Sequence, residues 1–193
     1  MNIDSSYFID EIFDIESRGM FSDISMSTAL LFDFMDFNET QINHAISYIK
    51  SVLKECYDGG HLRVAISHNE HELHGYAMMF VHPDKNHANY LHKIYVHDKY
   101  RGNKVGDGIL TSLLESSPNT TLLCSPDKIK FYEKYGFSLI QKFSMPESDE
   151  FSLSKKLYSD LYLMSNNEET LEAPIFFLND IDLKNMVHVS KKI

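Results

Sequence analysis

The chain has 193 residues, 43% hydrophobic and 24% charged, which is the balance of one globular domain long enough to bury a full core. Its formal net charge of −10 argues against a nucleic-acid-binding surface. No apolar run approaches the roughly 20 residues of a membrane span, and the acidic N-terminus lacks the basic-then-apolar order of a signal peptide, so a cytoplasmic protein is expected.

Residues 1–37, rich in Phe, Met and acidic side chains, are the hardest to read. Ile24 to Phe34 fits a first strand or a buried helix, because a short apolar run does not separate the two. The next element is clear. Asn38 followed by Gln41 resembles a capping box, and Ile42, Ala45, Ile46, Ile49, Val52, Leu53 and Cys56 form an apolar stripe that stops at Gly59–Gly60. Leu62, Val64 and Ile66 then alternate with Arg63, Ala65 and Ser67 as in a half-buried strand. A turn near Asn69–Glu70 leads to a second strand, Leu73 to Val81, apolar on both faces and therefore interior in its sheet. His68, His71 and His74 gather at this turn at a spacing that suits no regular ligand pair, and no metal is expected. Pro83 ends the hairpin.

From Tyr90 to Gly106 a strand runs into a basic, glycine-punctuated turn. The turn opens a helix whose Val105, Ile109, Leu110, Leu113 and Leu114 share one face. Backbone N–H groups free at such a helix start can hold a pyrophosphate. Arg101 and Lys104 add positive charge, and Gly102 and Gly106 allow close approach. The competing reading is a tight connection with a solvated basic corner. Thr120 to Cys124 is a short strand. Ser125 as N-cap, Pro126 at the first helical position and Gly136 past the end frame a second helix of two to three turns, which leads into a strand from Phe137 to Phe143. Met145 to Asp149 reads as a loop and Asp160 to Met164 as a last hairpin strand. Glu168 to Glu172 is an acidic linker, Ile175 to Leu178 could pair or pack, and Asp180 to His188 suits a short helix. Cys56 and Cys124 read as reduced core residues.

Two of these segments, YLHKIYVHDKYRGNKVG (90–106) and SPDKIKFYEKYGF (125–137), resemble the GNAT superfamily of N-acetyltransferases. The first matches the Arg/Gln-x-x-Gly-x-Gly/Ala turn after the family's fourth strand, except that Lys104 stands where the first glycine belongs. Lysine resists positive φ and blocks close approach. The second matches the Phe-Tyr-Glu-Lys-x-Gly-Phe phrase after the fifth strand. The resemblance implies an α/β layered fold with a mixed, mostly antiparallel central sheet flanked by helices. It also implies acetyl transfer from acetyl-CoA to a primary amine of a small molecule or peptide, by direct attack in a ternary complex. By that likeness Ile94, Tyr95 and Val96 would meet the pantetheine, and Arg101, Gly102, Asn103, Lys104, Val105 and Gly106 the pyrophosphate. Tyr132 would be the general acid, and His92 the base where relatives carry a glutamate. The expected organisation is one domain over 1–164 with a packed extension over 165–193, as a monomer or homodimer with no nucleic acid or membrane partner. The alternative is a non-catalytic acyl-CoA-binding regulatory module.

Overall fold

A computed structural model describes residues 5–27, 34–145, 147–167 and 172–191. The chain divides into two compact units, one of Met1–Ile9, Tyr57–Phe143 and Leu161–Phe176, the other of Asp10–Cys56, Ser144–Asp160 and Phe177–Ile193.

The first unit holds a six-stranded sheet among the described residues, with β1 (Leu62–His68), β2 (Leu73–Phe80), β3 (Asn89–Val96), β4 (Thr120–Cys124), β5 (Ser138–Lys142) and β6 (Tyr162–Ser165) in the order β1-β2-β3-β4-β6-β5. Only β3 and β4 run parallel, and the other neighbours are antiparallel. This is the mixed, mostly antiparallel sheet flanked by helices that the sequence leads one to expect. The expected boundary between residues 164 and 165 falls inside β6. On one face lies the helix Val105–Ser116, whose Ile109, Leu110 and Leu113 close a core with Ala77, Met79, Leu91, Leu122 and Met164. Cys124 sits in that core as a packing residue, its thiol 3.5 Å from Met164 Sδ and its acidity weakened by burial first and by Asp127 second.

The second unit holds the helices Ile9–Ser25 (α1), Glu39–Asp58 (α2) and Asp180–Lys191. The helices of the first unit, Val105–Ser116 and Ile129–Glu133, are α3 and α4, and the last helix is α5. The capping box before α2 forms as read, with Asn38 N donating to Gln41 Oε1 at 2.9 Å and Gln41 N to Asn38 Oδ1 at 3.0 Å. Lys50 ties α2 to α1 through Asp10 at 3.0 Å and Asp14 at 2.9 Å. Helix α1 was hidden because two of its buried positions, Glu16 and Ser17, are polar and interrupt the stripe of Ile12, Phe13, Phe21 and Ile24. It takes in Ile24 and Ser25, while residues 28–33 of the ambiguous segment lie outside the described residues.

Ser125 departs from its expected capping role. Its hydroxyl bonds the Asp127 carboxylate instead of a main-chain N–H. The helix it was to open splits into a 3-10 turn, Pro126–Lys128, followed by α4. Ile175–Leu178 packs without joining the sheet, Phe176 stacking on Phe80 with ring centroids 4.7 Å apart.

Candidate active site

Strand β3 pairs with β2 from Tyr90 to Val96 but with β4 only from Asn89 to Leu91. Beyond Leu91 it therefore loses its neighbour on that side. His97 N donates to His74 O across the β2 ladder at 3.0 Å, and alternation along an antiparallel pair then turns the main-chain groups of Val96 and Ile94 away from β2. Val96 O accepts from Arg101 Nε at 3.2 Å, as that orientation requires. The seam opens into a cleft of about 730 Å³ between the end of β3, the start of α3 and α4.

Most of the residues expected to hold a cofactor meet in this cleft. Ile94, Tyr95, Val96, Arg101, Gly102, Lys104, Val105 and Gly106 line it, and so does Tyr132. Asn103 is not among the lining residues; it is exposed, its N–H spent on Tyr100 O at 3.3 Å. Lys104 takes φ +60°, the left-handed conformation that glycine would adopt without strain, and it is the residue from which α3 starts. No side chain caps that helix end, so the N–H groups of its first turn face outward with the positive end of the helix dipole. Arg101 is partly neutralised by Asp98 at 2.9 Å, whereas Lys104 has no ion pair among the described residues.

Tyr132 is half-buried against Phe131 and Phe137, at centroid distances of 5.1 and 5.9 Å. Burial, with a smaller contribution from Cys124, pushes its phenol up to about 12, so it stays protonated at neutral pH. Its neighbour Tyr135 is likewise raised to about 12, by burial and then by its hydrogen bond to Asp107 in the first turn of α3.

His92 lies elsewhere. Leu91 stands opposite Met79 and Lys93 opposite Met78, so His92 is the extra residue of a β-bulge. The bulge leaves Leu91 and Ile94 both on the α3 side and turns His92 to the opposite face. There its ring meets Phe176 at 5.5 Å, Phe80 at 5.7 Å and Tyr90 at 5.9 Å. It does not line the cleft.

Sequence reading missed Tyr100, Phe131 and Lys128, which also line the cleft together with Asp107 and Asp127. Tyr100 is held by Glu72, which also pairs with Lys99 at 2.8 Å. Phe131 and Lys128 lie inside the second matched phrase, but only the fold brings the start of α4 opposite the start of α3. Among the described residues no group of three His, Cys, Asp or Glu side chains is arranged to hold a metal, and no helix is long and apolar enough to cross a membrane.

Residues 58–139 match the family model described as an acetyltransferase (GNAT) domain. Over that stretch the chain is similar to GNAT acetyltransferase domains, the family its sequence resembles. Among solved structures, the chain is similar to an acetyltransferase from Thermus thermophilus (11% identity, 62% of this chain and 73% of that one, TM-score 0.48). It is also similar to the PaiA N-acetyltransferase of Thermoplasma acidophilum in complex with coenzyme A (14%, 78% and 92%, 0.45). A third is Naa50 of Arabidopsis thaliana in complex with a bisubstrate analogue (18%, 67% and 80%, 0.39). No curated protein sequence matches the chain.

Proposed function

We propose that this protein is an N-acetyltransferase that moves an acetyl group from acetyl-CoA to a primary amine of a small molecule or peptide by direct transfer in a ternary complex. The observation that carries this reading is the parting of β3 from β4. It places the free main-chain edge of Ile94 and Val96, the uncapped start of α3 and the Tyr132 phenol in one cleft. The residues present fit such a co-substrate. A Cβ built on Gly106 would meet only Val96 Cγ2, at 3.5 Å, so packing within the chain does not demand glycine there, while a phosphate lying on the helix end does.

In this account Ile94, Tyr95 and Val96 hold the pantetheine arm as an added strand would be held. Arg101, Gly102, Lys104, Val105 and Gly106 face the pyrophosphate with N–H groups and positive charge, while Asn103, whose N–H is held by Tyr100 O, stands outside the cleft. The acceptor nitrogen forms its bond to the acetyl carbon as the carbon–sulfur bond breaks. His92 takes the proton lost by the amine, reached from the far face of the sheet through the open seam. Tyr132 gives its proton to the departing thiolate and recovers one from solvent.

Tyr132→Phe tests the assignment. Removing a general acid costs roughly 10²–10⁴-fold in rate, and the loss is expected in kcat, with acetyl-CoA affinity within about twofold. A variant with full kcat would remove Tyr132 from the chemistry. Acetyl-CoA binding without thiol release, across a broad set of amines, would favour a regulatory acyl-CoA-binding module.

A further inference from the structure

The environment of His92 says something about the acceptor, on the reading that His92 is the base. Both of its ring nitrogens are shielded from solvent. The rings around it come from Phe80 on β2, Tyr90 on β3 and Phe176. Phe80 and Tyr90 are 4% exposed and fixed in paired strands, directly opposite one another. Phe176 differs, because it is only partly buried and sits in the irregular stretch 172–179, which joins no ladder. Near its start this stretch is fastened by Ala88 N donating to Glu172 O at 3.0 Å, and by the Glu172 carboxylate 3.9 Å from His87 Nε2. Phe176 itself is held by ring contacts alone among those described: flat on Phe80, 7° from parallel, and edge-on to His92.

A base that must take a proton from an incoming amine cannot stay covered, and the least anchored of the three rings is the one that can leave. We propose that Phe176 is the gate and specificity residue of the acceptor site: it swings off Phe80 and His92 to admit the amine, then closes on the acceptor's carbon skeleton. The wall that the acceptor meets is then aromatic on three sides. Phe80, Tyr90 and Phe176 offer apolar surface and π faces that attract an ammonium group before it is deprotonated. They favour a primary amine flanked by an aromatic or bulky apolar group over a flexible polyamine. The ammonium gives one proton to solvent before it attacks. A second passes from nitrogen to the His92 imidazole as the new carbon–nitrogen bond forms and the carbon–sulfur bond breaks. Tyr132 protonates the thiolate and is reprotonated by solvent, and His92 releases its proton to solvent.

The gate is tested on the full chain by diethyl pyrocarbonate, with modification mapped to individual histidines by peptide mass spectrometry and acetyl-CoA binding measured in parallel. Phe176→Ala should raise the rate at His92 about tenfold or more, the scale on which opening a local structure exposes a protected group, and leave the other nine of the ten histidines unchanged. Phe176→Leu, which keeps apolar bulk, serves if the alanine variant fails to fold and should give an intermediate rate. Equal rates at His92 in wild type and either folded variant would overturn the gate. In thiol-release assays phenethylamine should exceed spermidine in kcat/KM by about 10–200-fold, the range set by filling an apolar pocket, and Phe176→Ala should shrink that ratio through KM. A preference for spermidine would overturn the acceptor class. Failure of wild type to bind acetyl-CoA would sink the transferase reading instead, while the labelling result would still report on the gate.

Discussion

Lys104 offers a prediction in which the backbone and the charge can be separated. Its φ of +60° places a residue with a Cβ in the left-handed region, which costs an L-residue roughly 1–2 kcal/mol. Lys104→Gly removes that strain but gives the unfolded chain more freedom, worth about 0.4–1 kcal/mol against the fold. The balance is a stabilisation of about 0.5–1 kcal/mol, or a rise in Tm of about 1–4 °C for a chain of this size. Lys104 is exposed, so losing its charge has little effect on the fold. Lys104→Ala is the control, because it also removes the charge but keeps the strain, and its Tm should stay within about 1 °C of wild type. The assay is thermal and urea unfolding of the three proteins at moderate salt. The reasoning fails if Lys104→Gly is no more stable than Lys104→Ala, for then the left-handed turn carries no strain.

Further expectations concern the scaffold. Gly75 stands opposite Val96, and a Cβ there would lie 2.5 Å from Tyr95 O and 3.2 Å from Val96 Cα. Gly75→Ala should therefore push β3 aside at the cleft, costing about 1–3 kcal/mol by overpacking and weakening acetyl-CoA binding; unchanged stability and affinity would contradict it. Asp180 is 4% exposed and accepts from Leu153 N and Ser154 N at 2.9–3.0 Å. Burial pushes its pKa up, but the hydrogen bonds from Ser154 and Leu153 outweigh burial, so its pKa ends below the usual carboxylate range. Asp180→Ala leaves two N–H groups without their partner, about 2–4 kcal/mol in all. A depressed carboxyl stabilises the fold above its unfolded value near 3.9 and loses that contribution as pH falls through the lower folded value. Wild type and Asp180→Ala should thus converge in stability at strongly acid pH, and a gap independent of pH would contradict the assignment. Tyr132 titrates the other way: its raised phenol stabilises the fold below pH 10 and loses that contribution as pH rises toward about 12. Alkaline titration at 295 nm should show one less late-ionising tyrosine in Tyr132→Phe.

The sheet was legible because its strands carry strong local patterns. Thr120–Cys124 has the bounds read from sequence, and α2 begins at its capping box. The basic turn from Arg101 to Gly106 was legible because glycine and basic residues follow a strand directly. What stayed hidden depends on partners distant in sequence. Helix α1 buries Glu16 and Ser17, and so shows no clean apolar stripe. Ser125 found a carboxylate two residues away rather than a backbone N–H. The bulge at His92 is a mismatch between two strands, visible only once β2 and β3 are in register. It is what sends His92 to the face opposite Ile94, although plain alternation would keep the two together. The cover provided by Phe176 joins residues 84 positions apart, which no local pattern encodes.

Calorimetric titration of acetyl-CoA into the full chain, beside Arg101→Glu, tests the central claim most directly. At 100 times its Kd the ligand should stabilise the fold by about 2.7 kcal/mol, and charge reversal at Arg101 should weaken binding about tenfold or more, equivalent to about 1.4 kcal/mol. Binding to wild type with that loss is the predicted result. No binding, or equal affinity in the two proteins, would contradict a cofactor site between β3, α3 and α4.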